Sequence, residues 1–270
     1  MQRLSQRLVI GLFIGTGLVA SLSMSPEASS NSGQTQEQAV SVTKAEIEAV
    51  SKRRVVFAHQ SVGENILDGV RALAKEHGVR LSIVEGRRTD GSEPGIFHFK
   101  VGANGDPSGK INDYVKTLDA TPFSKADVAL VKLCYVDFNS QSDATAIAKS
   151  YASAIKKLQA SYPSTRFVAV TAPLTAIPGG AKVWVKKMMG RTPPDLVDNS
   201  KRKEFNDYLR AQFDKNHLFD IAKLEAETAT ADDGKPIEAM RRELTDDGGH
   251  LNAEGQRMVG AAFLKILAAE

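Results

Sequence analysis

Two short stretches hold the residue types that nucleophilic chemistry needs. The first is Ala58-His59-Gln60-Ser61-Val62-Gly63-Glu64-Asn65. An apolar run, Val55 to Ala58, precedes it, and Ile66, Val70 and Leu73 follow at helical spacing, so Ser61 falls where a strand turns into a helix. A serine there holds its hydroxyl near the free N–H groups of the helix's first turn, which favour developing negative charge. The same position also suits an ordinary helix N-cap. The second stretch is Asp246-Asp247-Gly248-Gly249-His250-Leu251-Asn252-Ala253-Glu254-Gly255. An Asp three residues before a His, on a glycine-containing loop, can bend back to the imidazole. It then fixes the tautomer and stabilises the imidazolium that forms when the ring takes a serine proton. A polar loop leading into a helix capped by Asn252 would have the same composition.

Strands and helices must bring the two stretches together. The residue pattern predicts strands over 55–58, 79–84, 127–136, 166–170 and 218–221. It predicts helices from Thr43, whose Thr-x-x-Glu pattern is a capping box, from about Ile66 to His77, and over 144–162, 203–213 and 252–267. Continuous apolar strands, each followed by a helix, imply an α/β fold: a three-layer α/β/α sandwich around a mostly parallel sheet of about five strands, flavodoxin-like in type. Ligands on such sheets sit at the carboxyl ends of the strands. The glycine-rich stretch from Glu85 to Lys110 reads as one long loop, functional or disordered, and its Asn104-Gly105 equally suits a plain surface turn. Lys132 interrupts an apolar strand and needs a partner, with Asp137 the candidate. Cys134 reads as a small core residue rather than a nucleophile.

The order Ser61, then Asp247-Gly-Gly-His250-Leu-Asn-x-x-Gly255 before the last helix, resembles the SGNH (GDSL-type) hydrolase superfamily. His59-Gln60-Ser61 stands where that family usually has Gly-Asp-Ser. The resemblance spans about Arg53 to Leu267. It implies a serine hydrolase without a cofactor, in which Ser61 is the nucleophile, His250 the general base and Asp247 its orienter. The family's third block, Gly-x-Asn-Asp, is altered here: Cys134 stands for the Gly and Val136 for the Asn, whose amide serves the oxyanion, while Asp137 matches. By this correspondence the oxyanion hole would draw on the backbone N–H groups of Ser61 and Gly105, with a side-chain amide from Asn104 or Asn139. The implied substrate is an oxygen ester, an acyl group on a carbohydrate or lipid. Two other activities fit the same architecture: polysaccharide O-acylation, and binding without turnover.

The whole chain sets bounds. In 270 residues, 35 Lys and Arg against 32 Asp and Glu leave a formal charge of +3, which gives no basis for a nucleic-acid partner. A single cysteine excludes an intrachain disulfide and Cys-rich metal centres. No His/Asp/Glu spacing marks a metal site, and His98, alternating with apolar neighbours, reads as a structural histidine. Residues 1–24 have the layout of a signal peptide: Arg3 and Arg7, an apolar run from Leu8 to Ala20, then small polar residues. That run is shorter than the ~20 residues that span a bilayer. The expected protein is exported, periplasmic or secreted, without stable membrane insertion after leader cleavage. Residues 25–42 read as a disordered linker, and 43–270 as the folded, SGNH-like domain.

Overall fold

Alternation of side chains along the central strands builds two cores from one sheet. In β1 (Arg54–His59), Val55 and Phe57 point to one face and Val56 and Ala58 to the other, and all are buried. The first face is covered by α1 (Lys44–Ser51), α2 (Ser61–Glu76) and α7 (Ala253–Ala268). The second is covered by α3 (Pro107–Ala120), α4 (Ala144–Ser161) and α5 (Pro194–Gln212). Full burial of a side chain such as Phe57 or Ile66 on the first face, or Phe138 or Phe205 on the second, contributes about 1.5–3 kcal/mol each, so both faces are held by hydrophobic burial.

The computed structural model describes residues 41–86, 93–120, 125–178, 194–230 and 234–269. The remaining strands are β2 (Ile83–Glu85), β3 (Gly95–Lys100), β4 (Val128–Val131), β5 (Arg166–Val170) and β6 (Leu218–Phe219). They form a six-stranded sheet in the order β2-β3-β1-β4-β5-β6, every neighbouring pair parallel. The molecule is therefore an α/β/α sandwich. Successive connections leave β1 toward β3 and later toward β4, so the order reverses at β1/β4, where open α/β sheets form their ligand crevice. A short helix, α6 (Ile221–Glu225), an antiparallel hairpin, β7 (Ala226–Thr230) with β8 (Pro236–Met240), and a 3-10 turn, Arg242–Leu244, follow β6 in the chain.

Three differences from the sequence pattern have physical causes. The stretch from Glu85 to Lys110 contains β3, a buried strand in register with β1, so the sheet has six strands and not five. The strand expected over 127–136 ends at Val131. There the Asp137 carboxylate accepts the Cys134 N–H at 2.7 Å and turns the backbone into a 3-10 turn, Tyr135–Asp137. Lys132 does not pair with Asp137. Its ammonium donates to the Leu133 carbonyl at 3.2 Å and lies 3.7 Å from the Cys134 sulfur, while Asp137 pairs with Lys110. Cys134 is buried, as expected.

The capping readings are seen directly. Thr43 and Glu46 form the reciprocal capping box, and the Asn252 side chain accepts from Gly255 N–H at 3.1 Å. Helices α2 and α7 cross closely because Gly69 lacks a side chain: a Cβ there would lie 1.9 Å from the Gln256 carbonyl oxygen. At its far end, α7 presents its last carbonyls to Arg53 and Arg166, which begin the sheet's amino edge. Its amino end and the loop carrying His250 therefore lie at the opposite, carboxyl edge. Residues 1–24 and most of the 25–42 linker fall outside the described residues, though Val42 is buried beside Ile47. No helix among the described residues is long and apolar enough to cross a membrane.

Candidate active site

Ser61 is the first residue of α2, at the carboxyl end of β1, and it is exposed. The N-cap position belongs to Gln60, which makes no side-chain cap. The Ser61 hydroxyl is thus not the cap of its own helix. Gln60 is instead a tether: its side-chain amide donates to the carbonyls of Val101 and Gly102, each at 2.9 Å. This fastens the β1–α2 turn to the end of β3.

The second stretch holds a formed Asp–His pair. His250 Nδ1 lies 2.7 Å from Asp247 Oδ2. The other carboxylate oxygen, Oδ1, accepts the backbone N–H groups of His250 at 2.8 Å and Gly249 at 2.9 Å, and the Thr245 hydroxyl at 3.3 Å. Those two backbone N–H groups, and then the imidazole, hold the Asp247 carboxyl well below the usual carboxylate range. A carboxylate facing Nδ1 keeps the proton there and leaves Nε2 as the basic nitrogen. The Tyr135 and His250 rings meet in a T-shaped arrangement with centroids 5.8 Å apart. The Arg202 guanidinium lies over that same ring, 5.8 Å from its centroid, and donates to the Tyr135 carbonyl at 3.0 Å. Burial pushes the Arg202 pKa down to about 10.

The third group of residues, Gly105, Asn104 and Asn139, makes hydrogen bonds within and between its own loops. Gly105 has φ +84°, a left-handed conformation that favours glycine. Its N–H donates to Asp137 Oδ1 at 2.8 Å, so that donor is engaged by a carboxylate. The Asn104 side-chain oxygen accepts from Lys110 Nζ at 3.1 Å. Asn139 closes a turn on itself, its Oδ1 accepting the Gln141 N–H at 2.8 Å. Val136 is exposed, in the position where the family resemblance would place an amide. Asp137 is the hub beneath these groups, accepting from Lys110, Gly105 and Cys134.

A chain of contacts links the two stretches along the carboxyl edge. Gln60 binds Gly102, Gly105 binds Asp137, Tyr135 meets His250, and the Gly248 carbonyl accepts the Ala176 N–H at 2.9 Å. Sequence reasoning missed Lys110, Tyr135 and Arg202, which carry no motif. It also kept His59, Glu64 and His98 apart. They converge because β1 and β3 are neighbours in the sheet while 39 residues apart in the chain.

No family model matches the chain, and no curated protein matches it. Among solved structures, it is similar to a candidate platelet activating factor from Streptococcus pneumoniae, at 12% identity, TM-score 0.47, covering 83% of this chain and 90% of that one. It is also similar to a candidate lipolytic protein of the G-D-S-L family from Desulfitobacterium hafniense, at 11% identity, TM-score 0.44, covering 78% and 98%. A third is the periplasmic domain of a lipopolysaccharide acetyltransferase from Salmonella Paratyphi A, at 15% identity, TM-score 0.41, covering 81% and 87%.

Proposed function

We propose that the chain is an exported serine esterase of the SGNH type, cleaving an oxygen ester through an acyl-enzyme. The observation that carries this reading is the pre-set Asp247–His250 pair, 2.7 Å apart, on a loop at the same sheet edge as Ser61. The steps are these. His250 Nε2 takes the Ser61 proton as the hydroxyl oxygen attacks the ester carbonyl. The tetrahedral intermediate collapses, the imidazolium returns its proton to the leaving alcohol, and an acyl-Ser61 ester remains. Water, deprotonated by the same nitrogen, hydrolyses that ester and restores the serine. Developing negative charge on the carbonyl oxygen is met at the amino end of α2 by the Ser61 backbone N–H, the Gly63 N–H being taken by the Gln60 carbonyl at 2.7 Å.

The acyl group belongs to a carbohydrate or lipid of the cell envelope, in keeping with the leader-like start of the chain. The test uses the mature protein with a simple acetyl ester and a fluorophosphonate probe. The expected result is turnover, with probe attached at Ser61 and lost in Ser61→Ala. Full activity in Ser61→Ala removes the esterase reading. A folded wild type that neither turns over nor takes the probe favours the binding-module reading, which the engaged Gly105 N–H and the apolar Val136 would explain.

A further inference from the structure

Beneath the first turn of α2, three ligand-type atoms face one another. His59 Nε2 is 3.0 Å from His98 Nδ1, and His98 Nδ1 is 3.8 Å from Glu64 Oε2. The three lie within 4.8 Å of one another. Ligands about 2.1 Å from a tetrahedral divalent ion are spaced roughly 3.4 Å apart, so the cluster brackets the required geometry. Both imidazoles are buried, and Glu64 is half-exposed, which leaves one side open. The room for the His59 ring comes from Gly63, where a Cβ would lie 2.2 Å from the ring.

The tautomers follow from the partners. His59 Nδ1 lies 3.0 Å from the Gln60 carbonyl, which can only accept, so the proton is on Nδ1 and Nε2 carries a lone pair. His98 Nδ1 must then donate to it. This is the arrangement of a metal-ligating histidine, whose other ring nitrogen is fixed by a backbone carbonyl. Glu85 pairs in register with His98 and adds negative charge on that histidine's side.

We propose that His59 Nε2, His98 Nδ1 and Glu64 Oε2 form a binding site for one borderline divalent ion of the zinc type. On binding, the ion takes the place of the proton between the two rings, and that proton moves to His98 Nε2. No oxidation or bond cleavage is involved. Two imidazoles with one carboxylate favour Zn²⁺ or Co²⁺ over Mg²⁺ or Ca²⁺, and water fills the remaining position from the open side. The site ties β1 and β3 to the turn bearing Ser61, and it does not depend on the esterase reading.

The test is Zn²⁺ titration of tag-free protein against a chromophoric chelator, with Co²⁺ as the spectroscopic probe. One Zn²⁺ per chain is expected, with tetrahedral Co²⁺ absorption. His98→Gln should weaken binding at least 100-fold, and Glu64→Gln, which alters a half-exposed side chain without disturbing the core, at least 10-fold. Arg71 donates to Glu64 Oε1 at 2.7 Å and competes for its charge. Arg71→Met should therefore tighten binding several-fold, an effect that a purely structural His–His pair would not give. Absence of stoichiometric Zn²⁺ in the folded wild type overturns the proposal, as does binding that is unchanged in both Glu64→Gln and His98→Gln.

Discussion

Lys110 Nζ meets both carboxylate oxygens of Asp137 at 2.7 Å, with neither side chain exposed. Removing one member leaves the other as an uncompensated buried charge, which typically costs about 3–5 kcal/mol. Asp137→Ala should fall in that range by urea unfolding, and Lys110→Met near it. The double variant Lys110→Met/Asp137→Leu should cost less than the sum of the single changes, because no stranded charge remains. Recovery will be incomplete, since Asp137 also accepts the N–H groups of Cys134 and Gly105. Strict additivity would show that the two residues do not act as a pair.

The Asp247 carboxyl is held low by the backbone N–H groups of His250 and Gly249, with the imidazole adding to them. A folded-state pKa below the unfolded value of about 3.9 means that the folded form binds the proton less readily. Its contribution to stability is therefore present above about pH 4 and is lost as pH falls through the folded value. The melting temperature of wild type should exceed that of Asp247→Asn at pH 7, with the gap narrowing below pH 4. Solvent exposure of this side chain keeps the gap small. A gap that widens on acidification would contradict the assignment.

How far the sequence reaches is clear from particular residues. The alternation in β1 and the apolar runs of β4 and β5 are legible because burial on both faces demands them. The Asp247–His250 pair is legible because three residues of loop suffice to close it. Partnerships across the sheet are not legible. Lys132 sits five residues from Asp137, yet the carboxylate turns to Lys110, 27 residues away, because the β3–α3 loop folds against the 3-10 turn. His59 and His98 meet only through the β1–β3 register. The strand at Gly95–Lys100 was hidden by glycines on either side of it, which read as loop.

Glu225 is fully buried; its Oε2 accepts the Leu174 N–H at 2.9 Å and its Oε1 has no hydrogen-bond partner. Burial pushes its pKa up to about 8, against the pull of Lys132 and Arg202. The folded state then holds a proton that the unfolded chain releases near pH 4.3. Stability contributed by this group is full below that value and declines as pH rises toward 8, by up to about 1.4 kcal/mol per pH unit. Unfolding free energies from pH 5 to 9 should show this decline in wild type and a flatter profile in Glu225→Gln. Parallel profiles would mean that Glu225 is ionised in the fold.

If Ser61, His250 and Asp247 act together, their removal must be non-additive. Ser61→Ala abolishes the nucleophile, after which the base has nothing to activate. His250→Ala leaves a hydroxyl with almost no tendency to ionise at neutral pH. Each single change should therefore remove nearly all ester turnover, and the double variant should be little worse than either. Asp247→Asn removes the acceptor for the His250 Nδ1 proton and frees the ring to adopt the wrong tautomer, a change that costs about 10⁴ in a serine triad of known mechanism. Here the His250 and Gly249 N–H groups would face an amide in place of a carboxylate, so the loop itself loosens. The expected order is wild type, then Asp247→Asn well below it, then Ser61→Ala, His250→Ala and the double variant together at the floor. Turnover of an acetyl ester at pH 7, measured with folding checked by circular dichroism, gives the ranking. Losses in Ser61→Ala and His250→Ala that multiply in the double variant would show that the two residues work independently, and the triad would have to be abandoned.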